Sequence, residues 1–401
     1  MSASFQNLVT AAQVLARIKE RPNQCASRAL FQLHSLEKLD YIRDRYFYED
    51  CSRRVFDWVM QCQVVADFFG GDSLPAEWGD MPFPAAAWKK LEEKARAMTS
   101  GFVDGDYILD RIDTWLLESY SLKGFCEAEP GDTVLDCGTF TGNTSLYFSQ
   151  KVGPSGRVYG FEASPSTFAR YAENMRELAN VTPVHAAVHN GCGTLFLAGD
   201  GAAGASVLHA SGVEVPAISL DEFFRTNDLK RVDFIKMDVE GAEKNALEGA
   251  QEIIRTWLPK MALSAYHRAD DLICIPEHIE SIAPGRYTFR LRHFSNCLYE
   301  TVLFCAPRTG EENVARPKTA PENHAPQYKD IITLVQSLYQ TLHNVVERLF
   351  KEESSPPLAT IQLLEKMAVE TKQLLETQER LQAENLALRS LLEKEKRKNK
   401  A

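Results

Sequence analysis

Between about residues 130 and 306, short apolar runs alternate with amphipathic helical segments. This alternation is typical of repeated strand–helix units in an α/β domain. We predict seven strands, at TVLDC, RVYGFEA, TPVHAAV, VDFIKMDV, KMALSAYH, YTFRLRHF and ETVLFCA. The predicted helices between them include SLYFSQKV, TFARYAENMREL and AEKNALEGAQEIIRTW. The pattern therefore predicts one α/β domain at the centre of the chain.

The sequence on either side of this domain has a different character. Residues 1–120 carry apolar positions at helical spacing, which predicts a helical N-terminal cap before a domain at 121–307. Residues 308–327 are rich in proline and poor in apolar residues, so we predict a linker. Residues 328–400 are rich in Leu, Glu, Lys and Gln and are predicted to be helical.

The C-terminal segment contains a heptad pattern. An apolar residue recurs at every seventh position at Met367, Leu374, Leu381 and Leu388. This spacing predicts a coiled coil, and hence a homo-oligomer, with a dimer as the first expectation. The alternatives are a hairpin within one chain and packing of these helices on the α/β domain.

The composition excludes several classes of protein. The formal net charge of -10 argues against broad binding to nucleic acid. Nine cysteines without a Cys-x-x-Cys pair fit neither a disulfide framework nor a zinc site, and we interpret them as reduced thiols. The sequence has no apolar core of the signal-peptide type and no apolar run of about 18 residues. We therefore expect a cytoplasmic protein without a transmembrane segment.

A turn between the first predicted strand and its helix points to the cofactor. The pattern is Asp136-x-Gly138-x-x-x-Gly142, which lacks the central glycine of a dinucleotide fingerprint. Such a turn presents backbone N–H groups at a helix N-terminus, where a negative or polar ligand group can bind. An acid at the strand end would repel a pyrophosphate but suits the ammonium or sulfonium centre of S-adenosylmethionine.

Glu162 ends the second predicted strand, where its carboxylate could accept both hydroxyls of an adenosine ribose. We therefore predict S-adenosylmethionine as the cofactor. The predicted cofactor-binding residues are Asp136, Gly138, Thr139, Gly142, Asn143 and Glu162.

Several segments together resemble the FkbM family of S-adenosylmethionine-dependent methyltransferases. They are DCGTFTGNTS, GFEASP, FIKMDVEGAE, SAYHRADDL and ETVLFCAP, and the resemblance covers about residues 132–307. It implies a Rossmann-like, seven-stranded methyltransferase sheet and methyl transfer to a hydroxyl oxygen. Members of this kind act in natural-product tailoring and surface-glycan pathways, so a sugar or glycan acceptor is expected. The resemblance does not extend to the cap or the coiled coil.

The candidate catalytic residues follow two neighbouring predicted strands. Asp238 and Glu240 lie at the carboxyl end of FIKMDVE, where ligands bind in open α/β sheets, and Lys236 precedes them on the same face. His267 closes the next strand and is a candidate base for the acceptor hydroxyl. Arg292 and His293 are weaker candidates for substrate contacts.

Three alternatives stay open at this point. Asp238, Glu240, Glu243 and His267 could ligate Mg²⁺ or Mn²⁺, although we predict no metal because methyl transfer accounts for the residues without one. A catalytically degenerate methyltransferase domain could act as a scaffold through the coiled coil. A Rossmann oxidoreductase is the third alternative, and the missing central glycine argues against it.

Overall fold

The structure is a computed structural model of the 401-residue chain. It describes residues 36–69, 85–99, 103, 108–202, 204–207, 211–295 and 297–308. The chain divides into two compact units, and the larger comprises Glu37–Cys62 and Asp72–Val314. The smaller, formed by Met1–Leu36, Gln63–Gly71 and Ala315–Ala401, lies almost wholly outside the described residues.

The predicted linker and coiled coil lie outside the described residues. Their boundaries and the self-association expected from the heptad pattern therefore stay predictions.

A seven-stranded sheet forms the centre of the larger unit, in the order β3-β2-β1-β7-β8-β10-β9. Its strands are β1 Thr133–Cys137, β2 Arg157–Glu162, β3 Val181–His185, β7 Phe234–Met237, β8 Lys260–Ser264, β9 Tyr287–His293 and β10 Thr301–Pro307. The first five in the order are parallel, whereas β10 is antiparallel to both β8 and β9. Each of the seven predicted strands contributes to this sheet. The sequence prediction of a large, mostly parallel sheet is therefore confirmed.

A second, three-stranded sheet was not predicted. It contains β4 Ala187–Val188, β5 Gly193–Leu197 and β6 Val213–Ile218, in the order β4-β6-β5. Most residues of β5 and β6 are exposed or half-buried, so these strands do not form the buried strands that the sequence prediction looked for.

Helices cover the sheet and precede it. They are α1 Leu36–Tyr46, α2 Asp50–Phe69, α3 Ala85–Ala97, α4 Asn143–Val152, α5 Pro165–Met175, α6 Leu220–Thr226, α7 Glu243–Glu248, α8 Gln251–Trp257 and α9 Asp271–Ile282. A helical turn at Ile108–Asp110 continues as a π-helix, Arg111–Leu116. Among the described residues, no helix is both long enough and apolar enough to cross a membrane.

The single helix predicted at AEKNALEGAQEIIRTW is two helices, α7 and α8, with Gly249 between them. A Cβ atom at Gly249 would lie 2.1 Å from the backbone oxygen of His189. The chain therefore packs backbone against backbone at this position, and the helix is interrupted where that contact is made.

Arg292 and His293 in β9 have structural contacts. The guanidinium of Arg292 donates hydrogen bonds of 2.8 Å to both carboxylate oxygens of Glu49, just before α2. His293 is buried beside Trp58 of α2, with ring centroids 4.6 Å apart. These two side chains attach the N-terminal helices to the sheet edge, and their contact with substrate stays a prediction.

Candidate active site

Four chemically active side chains lie at or just beyond the carboxyl ends of neighbouring parallel strands. Asp136 lies in β1 and Glu162 ends β2, while Asp238 directly follows β7 and His267 lies three residues beyond β8. The carboxyl ends of parallel strands meet at one edge of a sheet, which is where ligands bind in this class of fold. The topology therefore brings the predicted cofactor residues and the predicted catalytic residues to a common edge.

The turn after β1, residues 138–142, depends on its two glycines. Gly138 has a φ of 82°, and a Cβ atom there would lie 1.8 Å from the backbone oxygen of Asp238. Gly142 has a φ of 106°, and a Cβ atom there would lie 2.8 Å from the ring of Tyr171. Both positions need the left-handed backbone region and the absence of a side chain.

Backbone donors of this turn are already used within the protein. The amides of Gly138 and Thr139 both donate to the carbonyl of Phe161, at 3.0 and 3.1 Å. The amide of Phe140 donates to Oε2 of Glu162 at 2.9 Å. These three groups do not form the open anion site expected from the sequence.

Glu162 is held against the turn by both of its oxygens. Oε2 accepts from Phe140, and Oε1 accepts from the amide of Ser164 at 2.8 Å. Burial raises the pKa of Glu162 to about 7, although the two backbone hydrogen bonds oppose this shift. The carboxylate thus has a fixed orientation at the end of β2 and retains acceptor capacity on each oxygen.

Asp136 is bonded to side chains within the protein. Its side chain is fully buried, and Oδ2 accepts hydrogen bonds from the hydroxyls of Thr144 and Ser145 at 2.8 and 2.7 Å. Its other oxygen lies 3.5 Å from Nζ of Lys236, which is equally buried. The contact with the cofactor predicted for this side chain stays a prediction. Asp136 compensates the charge of Lys236 beneath the turn.

Lys236 joins β7 to the turn. Its ammonium group donates to the carbonyls of Cys137 and Gly138 and lies over the ring of Tyr120, 5.0 Å from its centroid. Burial opposes its charge, but Asp136 and Asp238 raise its pKa above the usual lysine value. The structural ion pair considered for this lysine is thus present, and it fixes the position of residues 137 and 138.

Asn143 and Thr139, two further predicted cofactor residues, have different surroundings. The side-chain oxygen of Asn143 accepts from the amide of Val103 and the indole of Trp115, and its nitrogen donates to Asp110. Through these contacts Asn143 ties the segment before β1 to α4, and its assignment to the cofactor stays a prediction. Thr139 stays at the turn, and its buried hydroxyl makes no hydrogen bond with the protein.

His267 lies among three carboxylates. Its Nδ1 is 2.9 Å from Oε1 of Glu243, which is fully buried. On the other side of the ring, Nε2 is 3.4 Å from Oδ1 of Asp238 and 3.4 Å from Oε2 of Glu240, but forms a hydrogen bond with neither. The three predicted catalytic residues are thus adjacent, and Glu243 orients the imidazole between them.

The charges of this cluster and its burial shift the pKa values of His267 and Glu240. Burial lowers the pKa of His267, but Glu243, Asp238 and Glu240 together raise it to about 10. Burial also raises the pKa of Glu240 to about 7, and His267 opposes that shift. Glu240 adopts a left-handed backbone with a φ of 54°, which is uncommon for a residue with a side chain. Such geometry is concentrated at functional sites.

Two tyrosines next to Asp238 were not identified from the sequence. The hydroxyl of Tyr120 donates to Oδ2 of Asp238 at 2.8 Å, and that of Tyr266 lies 3.3 Å from Oδ1. Tyr266 also donates to Glu300, 3.3 Å away. Tyr266 and Glu300 belong to the motif segments SAYHRADDL and ETVLFCAP. Their membership of these segments could have identified them from the sequence. Tyr120 carries no such signal, because 118 residues separate it from Asp238.

Further acidic residues lie near this cluster. Burial raises the pKa of Asp110 to about 6 and that of Glu300 to about 8, in the second case with the help of Asp238. Asp113, in the π-helix, also has a raised pKa through burial and the charge of Glu300. The cluster is thus strongly acidic, a property that no local sequence pattern revealed.

Comparison with known proteins agrees with this arrangement. Residues 136–299 match the methyltransferase FkbM domain. A curated relative, the hexuronic acid methyltransferase AglP of Haloferax volcanii, is 28% identical over 135 residues. That alignment covers 32% of this chain and 54% of the relative, so the chain spans about half the length of the curated relative it matches.

Solved structures with similarity include the methyltransferase FkbM from Methylobacillus flagellatus KT. It is 18% identical, with a TM-score of 0.48, and the match covers 68% of this chain and 59% of that protein. Fibrillarin from Aeropyrum pernix, solved with natively bound S-adenosyl-L-methionine, is 18% identical, with a TM-score of 0.33 and coverage of 48% and 74%. The sequence resemblance is confirmed by the family match, which covers residues 136–299.

Proposed function

We propose that this protein transfers a methyl group from S-adenosylmethionine to a hydroxyl oxygen of a sugar or glycan. The observation that carries the proposal is the relation between two groups at one sheet edge. The turn with Glu162 forms the cofactor end, and the cluster of Asp238, Glu240 and His267 forms the acceptor end. Gly138 joins the two ends, because its Cα packs against the backbone oxygen of Asp238.

The residues of the cofactor end fit an adenosine group. Glu162 keeps a free acceptor position on each oxygen after receiving one backbone hydrogen bond on each, which suits a pair of ribose hydroxyls. The buried hydroxyl of Thr139 has no hydrogen-bond partner in the protein, so a ligand atom could supply one. When bound, S-adenosylmethionine supplies a methyl group on a positively charged sulfur.

The acceptor end holds groups that can orient a hydroxyl and receive its proton. An acceptor oxygen must lose a proton during methyl transfer, and the carboxylates of Asp238 and Glu240 can receive it. The pKa of His267 is raised to about 10, so its imidazole is protonated near neutral pH and can orient the hydroxyl. Glu243 and the tyrosines at positions 120 and 266 fix two of these groups through hydrogen bonds. Most of the rate enhancement is expected from holding the acceptor oxygen in line with the methyl group.

A sugar acceptor is supported by the Haloferax volcanii relative, whose name describes a hexuronic acid methyltransferase. A sugar also offers adjacent hydroxyl groups to the polar side chains of the cluster. The scaffold alternative has less support, because both ends of the site retain chemically active side chains. The oxidoreductase alternative has less support as well, because the amides of residues 138–140 are already occupied.

The proposal can be tested in two steps with the full-length protein. Calorimetric titration should show binding of S-adenosylmethionine and none of NAD. Incubation with the radiolabelled methyl donor and a panel of sugars, including uronic acids, should then transfer label to a hydroxyl oxygen. Binding of NAD in place of S-adenosylmethionine would contradict the proposal, and so would binding of neither.

The role of the acceptor end can be tested with His267→Ala. This change should slow turnover while leaving the affinity for S-adenosylmethionine nearly unchanged, since the imidazole does not touch the turn. His189→Ala is the matched control, because that ring contacts Asn190 next to the three-stranded sheet. Loss of cofactor binding in the first variant would instead make His267 a structural residue.

A further inference from the structure

We propose that Asp238, Glu240 and His267 form a binding site for one divalent metal ion. One oxygen of each carboxylate and Nε2 of the imidazole would hold the ion, which would be of the magnesium or manganese kind. This proposal revises the sequence prediction that no metal takes part.

The main observation is the state of Nε2 in His267. The side chain is only 8% exposed, and Nε2 is buried and makes no hydrogen bond with the protein. Buried polar atoms without partners are rare in folded proteins because each one costs free energy. This nitrogen faces Oδ1 of Asp238 and Oε2 of Glu240, each 3.4 Å away. A cation among the three atoms would displace the proton of Nε2 into the solvent and provide the missing partner.

The spacing of these atoms suits one ion. Ligand atoms around Mg²⁺ lie about 2.0–2.1 Å from the metal, so neighbouring ligands of an octahedron are about 3 Å apart. The candidate ligand atoms of Asp238, Glu240 and His267 all lie within 4.8 Å of one another. Small side-chain movements would therefore complete the coordination, and the backbone could stay in place.

The outer contacts of His267 match those of a metal ligand. Its Nδ1 bonds Oε1 of Glu243 at 2.9 Å, and the same oxygen accepts from the amide of Val239 at 3.0 Å. Histidines that bind metals usually donate their other ring nitrogen to a carboxylate or carbonyl in this way, which fixes the tautomer and the ring orientation. A second group, Glu243, His267 and Asp271, is disfavoured because Nδ1 is already engaged.

The ligand types limit the choice of metal. Two carboxylates are hard oxygen ligands that suit Mg²⁺ and Mn²⁺, whereas the imidazole favours the transition metal of the two. Mn²⁺ is therefore the better probe. Three protein ligands would leave about three positions of an octahedral ion open. If the proposed function holds, two neighbouring oxygens of the sugar acceptor would occupy open positions, which would place one hydroxyl for methylation.

The test is a titration of the EDTA-treated and dialysed full-length protein with MnCl₂, followed by calorimetry and by the electron paramagnetic resonance of free Mn²⁺. The wild type should bind one Mn²⁺. Glu240→Gln should bind at least tenfold more weakly, and because Glu240 is 31% exposed, this isosteric change should leave the fold intact. Asp228→Asn removes a surface carboxylate that is 86% exposed, and it should bind like the wild type.

The proposal is overturned if the wild type does not bind Mn²⁺, or if Glu240→Gln binds it as tightly as the wild type. Glu162→Gln distinguishes the metal site from the proposed function. It should weaken the binding of S-adenosylmethionine and leave the binding of Mn²⁺ unchanged. A wild type that binds Mn²⁺ but not S-adenosylmethionine would support the metal site and contradict the methyltransferase proposal. A wild type that binds S-adenosylmethionine but not Mn²⁺ would overturn the metal site alone.

Discussion

Gly138 and Asp238 touch through their backbones across the two halves of the site. A Cβ atom at position 138 would lie 1.8 Å from the backbone oxygen of Asp238 and 2.8 Å from its carbonyl carbon. The turn after β1 and the segment after β7 are therefore fitted to each other without room for a side chain. Any change that separates them should disturb the cofactor end and the acceptor end together.

Gly138→Ala should abolish binding of S-adenosylmethionine and lower the free energy of unfolding. The added methyl group would collide with backbone, and the φ of 82° is unfavourable for alanine. Gly124→Ala is the matched control, because its φ is 72° but nothing lies within 4 Å of the added atom. Calorimetric titration and denaturant unfolding of both variants test this. Equal behaviour of the two would show that backbone conformation, and not the contact with Asp238, decides the effect.

Glu162 should make cofactor affinity depend on pH near neutrality. Burial raises its pKa to about 7, so the carboxylate becomes charged as the pH rises through that value and then accepts hydroxyl hydrogen bonds more strongly. The affinity for S-adenosylmethionine should therefore increase from pH 6 to pH 8. Glu162→Gln should bind at least tenfold more weakly at pH 8, and its affinity should change less with pH. A wild-type affinity that is constant over this range would contradict the assignment.

Removal of one partner from the buried pair of Lys236 and Asp136 should be strongly destabilising. Lys236→Met leaves the carboxylate of Asp136 buried without its cation, and such losses cost about 3–5 kcal/mol. The double variant with Asp136→Asn should recover part of this free energy, because it removes the uncompensated charge. Urea unfolding of the wild type, both single variants and the double variant gives the coupling free energy between Lys236 and Asp136. Simple additivity would mean that the two groups do not interact.

His293 should contribute to unfolding in mild acid. Burial lowers its pKa from 6.5 to about 4, so below pH 6.5 the unfolded chain binds a proton that the folded protein excludes. Stability is then lost as the pH falls from 6.5 towards 4, by about 2 kcal/mol between pH 7.5 and pH 5. His293→Gln should reduce that dependence, whatever its stability at pH 7.5. Urea unfolding at both pH values measures the loss of stability. An equal loss in the wild type and the variant would rule out His293 as the source of the pH dependence.

The local pattern of the sequence was sufficient for much of the fold. Apolar runs predicted all seven strands of the main sheet because buried strands need continuous apolar surface. The local pattern did not predict β5 and β6, where most side chains are exposed. It also did not predict the interruption of the helix at Gly249, where the backbone contacts His189. Burial against distant backbone is not encoded in local periodicity.

The sequence by itself determined which strand ends carry the chemistry, because the order of strands and glycines places Glu162, Asp238, Glu240 and His267 at one sheet edge. Only the tertiary structure decided what each polar side chain bonds. Asp136 is bound by Lys236, 100 positions away, and Asn143 by Val103 and Trp115. Strand position follows from local periodicity, whereas the partner of a buried charge or amide is chosen by whichever distant group the packing brings within about 3 Å.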